Sequence, residues 1–392
     1  MKKILIFSLA YYPSHISGAE IAIKEITDRV PSEGVRFFMV THRFDQSAPR
    51  AEQIGNVLVY RVGFGPSYLS KMLFIPLAAW QAAALNRREH FDALWAVMTY
   101  MLFPLVLSKA LGVRGPYLLT LQDGDPYEKV FGRWFIRPFA PILNWGFRNA
   151  TVVQAVSTYL ATWPKKRGYK YRVEMIPNGA STESSQAYSE GESASFAKKI
   201  GKEDGIVSLL SVGRLVHQKG IDDVIRALAL LPAYVKLVVV GDGPDRLALM
   251  TLAKNLHVET RVQFMGQVNR TETAKYRTVC DIFVLPSRSE GQGISFISTM
   301  LSGLPVVATQ EGGIADFLFD AKRNPEKEAT GWAVDKDSPE QIAAAVRDIL
   351  AHPAEAKKVT KTAQDMVKEK YNWDNIAKDM RSRVFAKVLQ KY

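Results

Sequence analysis

A chain of 392 residues, 47% hydrophobic and 23% charged, is long enough for two or three domains with real cores, and its single cysteine excludes a disulfide scaffold or a cysteine metal cluster. The net charge of +12 is uneven: residues 1–180 hold 22 lysines and arginines against 12 acids, and the remainder 29 against 27. The excess implies an anionic surface or ligand near the first half, or else a generally basic, solvated surface. The longest apolar stretch, residues 93–107, is broken by Thr99, Tyr100 and Pro104, and it is shorter than the roughly 20 residues a spanning helix needs.

Residues 1–10 resemble the start of a signal peptide, but the apolar run is short and meets Tyr11-Tyr12-Pro13. A first buried strand is the expected reading. Short apolar runs at 3–9, 35–41, 56–62, 93–97, 117–121, 151–156 and 172–176 read as strands, with helical periodicity in most gaps. That alternation predicts a parallel, doubly wound sheet. Residues 180–204 are rich in Ser, Glu and Gly and read as a linker plus an exposed helix. A second alternation follows at 206–212, 235–240, 261–264, 281–285 and 305–309. Cys280 sits in the run 279–285, which reads as a buried strand, and is expected to be a packed thiol. The fold class is thus α/β with two Rossmann-like halves, divided as 1–180, a linker 181–204, 205–370, and a final helix 371–392. Such halves bind ligands at the carboxyl ends of their strands.

Four loops carry chemistry. The run 286–309, with Glu290, Gly293, Ile294 and Ser295, follows a strand and opens a helix. Free amides at such a turn suit phosphate, whereas Glu290 suits sugar hydroxyls or merely favours the helix dipole. Arg214 and Lys219, five apart in Gly213–Gly220, suit a diphosphate or are solvated loop charge. Gly241-Asp242-Gly243-Pro244 reads mainly as turn chemistry. Gly18, in Ser17-Gly18-Ala19-Glu20 after the first strand, would allow close approach to the backbone but is no dinucleotide fingerprint. The six histidines have no metal-ligand spacing, and no nucleophile elbow is present.

Together these motifs resemble the retaining GT-B glycosyltransferases of family 4 over nearly the whole chain. Residues 290–293 through 300–309 resemble the family's donor loop and helix, and 311–316 its following turn. Gly213-Arg214, Lys219-Gly220, residues 241–244, 176–179 and 17–20 stand in family order. The resemblance implies a GT-B fold of two Rossmann-like domains facing across a cleft, with the C-terminal helix crossing back to the first domain. It implies sugar transfer from a UDP- or GDP-sugar to a glycan or lipid-linked acceptor, without metal or cofactor. Arg214 and Lys219 would hold the diphosphate with backbone from Gly293 to Ser295. Glu290 would hold the sugar, and Gln267 and Val268 would lie near the base.

Two positions depart from the family pattern. Ser298 stands where a second glutamate is usual, about two helical turns or roughly 12 Å beyond Glu290. It is assigned the ribose end of the donor site, with a weakened donor contact; a catalytically weak or inactive nucleotide-sugar-binding relative is therefore the alternative reading. Gln122 stands where a histidine is usual; it can hydrogen-bond the sugar, while Asp123 or Asp125 could carry a proton.

Aromatics mix with cations at 133–139, at Trp145, Phe147 and Arg148, and at Lys71, Phe74, Trp80, Arg87 and Arg88. This pattern suits an anionic membrane surface, or else aromatics in the core with arginines at its rim; on the first reading the expected place is cytoplasmic, peripheral on the inner face of the cell membrane. No nucleic-acid-binding motif accompanies the basic excess.

Overall fold

Continuous Val, Ile, Leu and Phe runs have no polar face to offer water, so they become strands covered on both sides. The computed structural model describes residues 1–13, 16–31, 33–181, 183 and 188–390. It divides into two units, Met1–Asn178 with Trp373–Tyr392, and Gly179–Asn372.

The first unit is built on β1 (Lys2–Phe7), β2 (Val35–His42), β3 (Ala51–Ile54), β4 (Val57–Val62), β5 (Ala93–Val97), β6 (Tyr117–Leu121), β7 (Val152–Ala155) and β8 (Glu174–Met175). Their order is β3-β4-β2-β1-β5-β6-β7-β8. Every neighbouring pair is parallel except β3 with β4. β3 is an addition to the strands expected from sequence: it folds back on β4 through Gly55-Asn56. One face of the sheet is covered by helices Tyr68–Glu89, Leu102–Ala110 and Ala140–Arg148, with Phe74, Leu102, Leu143 and Phe147 in its core. Phe74 and Phe147, which the sequence leaves open between a basic surface and the core, are core residues.

The C-terminal segment packs into this first unit. Phe385 is buried between Phe37 and Trp95, with ring centroids 5.7 and 5.3 Å away. Buried Glu174 accepts from Arg383 at 2.9 Å and Lys387 at 2.6 Å.

The second unit holds β9 (Val207–Val212), β10 (Val235–Val240), β11 (Val262–Gly266), β12 (Ile282–Leu285), β13 (Val306–Ala308) and β14 (Trp332–Ala333), in the order β11-β10-β9-β12-β13-β14. All the pairs are parallel. The helix Glu190–Lys199, started by a capping box between Ser189 and Glu192, lies in the segment read as linker. Its Phe196 and Ala197 lie against this unit's core and Ile200 is buried, so the segment is part of the second unit.

In each sheet the strand order reverses beside the first strand of the unit, between β1 and β5 and between β9 and β12. Those are the switch points at which open α/β sheets present ligand crevices.

Candidate active site

In the second unit, the loops after β9 and β12 leave adjacent parallel strands at the switch point. They are joined by one backbone and one side-chain hydrogen bond. Arg288 N–H donates to Gln218 O at 2.7 Å, and Gln218 Nε2 donates to Ser289 O at 2.8 Å. Gly220 makes this approach possible. Its φ is +67°, and a Cβ there would stand 2.4 Å from Pro286 O. Arg288 fastens the same junction, bonding Asp222 at 2.8 and 2.9 Å, Asp223 at 2.7 Å and Asp337 at 2.6 Å.

This scaffold brings Lys219 and Glu290 together: Lys219 Nζ donates to Glu290 Oε1, which also accepts from Ser287 Oγ at 3.1 Å. Glu290 is 7% exposed. Its backbone is held from the β13 side, where Gly313 N–H donates to Glu290 O at 3.0 Å. Gly312, at φ +62°, leaves room for it, since a Cβ there would come within 2.1 Å of that carbonyl. Thr309 Oγ1 ties the loop again through Ser287 O at 2.6 Å.

Arg214, in the loop of Lys219, is exposed and has no carboxylate partner among the described residues. Gly293, at φ +97°, precedes the helix Ile294–Leu301 and gives it no side-chain cap, so the first-turn amides of Ile294 and Ser295 face outward from the helix end. The Ser295 hydroxyl donates to Val212 O at 3.2 Å, which ties the helix to β9. Gln267 is exposed and Val268 half-buried after β11.

Ser298 does not join this group. It is fully buried, and its Oγ accepts from Ser181 N–H at 2.9 Å. A hydroxyl with no exposed surface holds the chain at the start of this unit and offers nothing to a ribose, which corrects the sequence assignment. The nearest carboxylate in that bonding chain is Glu183, which accepts from Ser181 Oγ at 2.6 Å and pairs with Arg270 at 3.1 Å.

In the first unit, Gly18 opens the helix Gly18–Asp28 after β1, and Glu20 caps Ser17 N–H at 2.8 Å. Gln122 Oε1 accepts from Asn178 Nδ2 at 3.0 Å, leaving the Gln122 amide hydrogens to donate. Asp123 is turned inward: its carboxylate accepts from Thr99 N–H at 3.2 Å and Thr99 Oγ1 at 2.9 Å. Burial pushes its pKa up to about 6, against the pull of the Thr99 bonds. Asp125 is paired with Lys129 and Arg133, each at 2.8 Å. Neither acid is presented as a proton carrier, so the role given to Asp123 becomes one of positioning Thr99. Buried Cys280, its pKa pushed up to about 12, is an inert packed thiol.

The family model described as "Glycosyl transferases group 1" matches residues 193–373, and that of "Glycosyltransferase Family 4" matches residues 16–184. The chain belongs to glycosyltransferase family 4. The chain is 37% identical over 148 residues to the alpha-monoglucosyldiacylglycerol synthase of Streptococcus pneumoniae, covering 36% of this chain and 33% of that protein. It is 30% identical over 236 residues to a GDP-mannose-dependent alpha-(1-6)-phosphatidylinositol monomannoside mannosyltransferase of Mycolicibacterium smegmatis, covering 57% and 59%. The chain thus matches about a third to three fifths of the length of these curated relatives. Sucrose-phosphate synthase from Thermosynechococcus elongatus, 20% identical, superposes with a TM-score of 0.84 over 100% of both chains, and the shared fold is GT-B.

The sequence alone did not single out Ser287, Arg288, Thr309 and Thr99. Arg288 was visible as a charge beside Glu290, but its three acidic partners lie 49 to 66 residues away. Ser287 and Thr309 act through single hydroxyls that leave no pattern in a sequence.

Proposed function

We propose that this chain transfers a sugar from a UDP- or GDP-sugar to a glycan or lipid-linked acceptor, with retention at the anomeric carbon and without a metal. The observation that carries the reading is the Lys219–Glu290 pair at the β9/β12 switch point, with exposed Arg214 in the same loop. A nucleotide sugar needs cations for its diphosphate and an acceptor for its hydroxyls at one place, and these side chains supply both. Arg214 offers a fork, Lys219 a point charge, and the amides of Ile294 and Ser295 a helix N-terminus. These groups meet the charge that develops as the diphosphate leaves, which is why no metal enters the proposal. Glu290 holds sugar hydroxyls and, before donor arrives, holds Lys219 in place. Gln267 and Val268 border the base, and Gln122 donates toward the sugar. The GDP-mannose dependence of the Mycolicibacterium relative supports a nucleotide-sugar donor, and the phosphatidylinositol and diacylglycerol lipids of the two relatives support a lipid-linked acceptor. On this reading the enzyme works in the cytoplasm, peripheral on the inner face of the cell membrane.

The test is donor hydrolysis by the purified protein with a panel of UDP- and GDP-sugars. Binding without turnover of any of them would replace the enzyme reading with that of an inactive binding relative. Unchanged turnover in Glu290→Gln would remove Glu290 from the sugar site.

A further inference from the structure

The helix Tyr68–Glu89 carries two apolar stripes. Phe74, Ala78, Ala82 and Leu85 face the core and are buried. Leu69, Met72, Leu73, Pro76 and Trp80, at i, i+3, i+4, i+7 and i+11, form a second stripe that is exposed, Met72 at 57% and Trp80 at 64%. A water-facing helix has no use for the second stripe.

The stripe does not stand alone. Helix Leu102–Ala110 packs between Tyr68–Glu89 and Ala140–Arg148 on the same face of the sheet. It exposes Leu107, and Leu111 just beyond its end. The third helix and its lead-in expose Phe135, Phe139, Ile142 and Trp145, again spaced by three and four residues. Three adjoining helices thus share an apolar outer layer.

The charge on this layer is nearly all positive. The three helices expose Lys71, Arg87, Arg88 and Arg148 and carry one acid, Glu89, which is paired with Lys3 at 2.8 Å; Lys109 is turned inward to Gly115 O at 2.7 Å. The turn carrying Lys165, Lys166 and Lys170 adjoins the third helix, where Arg167 Nη1 donates to Asn144 Oδ1 at 3.4 Å. Those three lysines have no carboxylate partner among the described residues. Aromatics and aliphatics within a field of unpaired cations match an anionic lipid headgroup layer. A second copy of the chain fits poorly, since a two-fold contact would set these cations against themselves. Among the described residues no helix is long and apolar enough to cross a membrane, so this layer would lie in the plane of the surface.

We propose that the outer face of helices Tyr68–Glu89, Leu102–Ala110 and Ala140–Arg148 is the surface by which this enzyme docks on an anionic lipid bilayer. The proposal rests on the lipid-linked acceptor reading for its purpose, and its test does not require an acceptor. The full-length protein is floated with vesicles of phosphatidylcholine mixed with phosphatidylglycerol, and with phosphatidylcholine alone, at low and high salt. Binding is expected to the mixed vesicles, weakened by salt. Met72→Ser with Trp80→Ser, and separately Phe139→Ser with Trp145→Ser, should each weaken it about tenfold or more. Arg87→Gln with Arg88→Gln should weaken it roughly fivefold per cation removed.

Donor hydrolysis in water, measured on the same samples, should be the same in all these variants and shows that they are folded. Equal vesicle binding by wild type and variants overturns the proposal. So does no binding to anionic vesicles at low salt. A concentration-dependent dimer that Met72→Ser with Trp80→Ser abolishes, without vesicle binding, overturns it by assigning the face to a second copy. Flotation without donor hydrolysis would keep the docking surface and sink the sugar-transfer reading; hydrolysis without flotation would do the reverse.

Discussion

Replacing Lys219 by methionine strips a buried carboxylate of its cation while keeping most of the side-chain volume. Glu290 and Lys219 side chains are 9% and 19% exposed. Breaking such a pair from one side costs about 3–5 kcal/mol, and the partial exposure of Lys219 favours the lower end, about 3 kcal/mol. Glu290→Gln is gentler. The amide oxygen can still accept from Ser287 and Lys219, so only the charge-assisted part is lost, about 1–2 kcal/mol. The double variant removes both charges and leaves neither stranded. It should therefore be more stable than Lys219→Met alone, a coupling of at least about 1 kcal/mol in the mutant cycle. The readout is native-state hydrogen exchange at the amides of β9 and β12, which reports the second unit without interference from the first. If Lys219→Met lies within about 0.5 kcal/mol of wild type, or the two effects simply add, the carboxylate does not depend on its lysine and the geometry has been misjudged. The same variants bear on activity. Glu290→Gln should lower kcat/KM by roughly 10- to 150-fold, the worth of a charged hydrogen bond to the sugar.

Ser298→Ala should cost about 1 kcal/mol, the bond to Ser181 N–H, and leave the donor KM unchanged; a several-fold rise in KM would return Ser298 to the donor site. Asp123 has a folded pKa of about 6 against an ordinary value of 3.8. The folded chain therefore holds this proton more tightly than the unfolded one, and the group's contribution to stability falls as pH rises from about 4 to 6. The loss is up to roughly 3 kcal/mol, and it should vanish from the urea midpoint profile of Asp123→Asn. Gly312→Ala forces a Cβ to 2.1 Å from Glu290 O and should displace the Glu290 loop, abolishing donor hydrolysis. Gly112→Ala, at φ +93° with nothing within 4 Å, should cost only the left-handed strain of about 1–2 kcal/mol in thermal unfolding and leave hydrolysis intact.

The motifs at 213–220, 241–244 and 286–293 could be read from sequence because each directly follows a short, mainly apolar run rich in Val, Leu, Ile and Phe, and such a run is at home in a parallel sheet covered on both faces. Their partnership could not. Lys219 and Glu290 are 71 residues apart, and they meet because β12 inserts beside β9, a matter of strand order that local patterns do not encode. β3 was invisible for a different reason. Ala51-Glu52-Gln53 has little strand propensity, and β4 supplies the edge that orders it. Spacing likewise gave Ser298 a distance from Glu290 but not a direction. Its helix, with Phe296, Ile297, Thr299 and Met300 also buried, is enclosed on most sides, so a position two turns on points inward. The aromatics show the same limit from the other side. Phe74 and Trp80 sit on one helix, six residues apart, and composition cannot tell which faces the sheet. Only the packing of Phe74 into the core, against the exposure of Trp80, separates the residues that hold the fold from those left to meet a partner. A stripe that the fold does not consume, on a face whose charges are nearly all positive, needs a partner outside the chain. The docking experiment therefore asks what covers it, a question separate from the donor chemistry at Lys219 and Glu290.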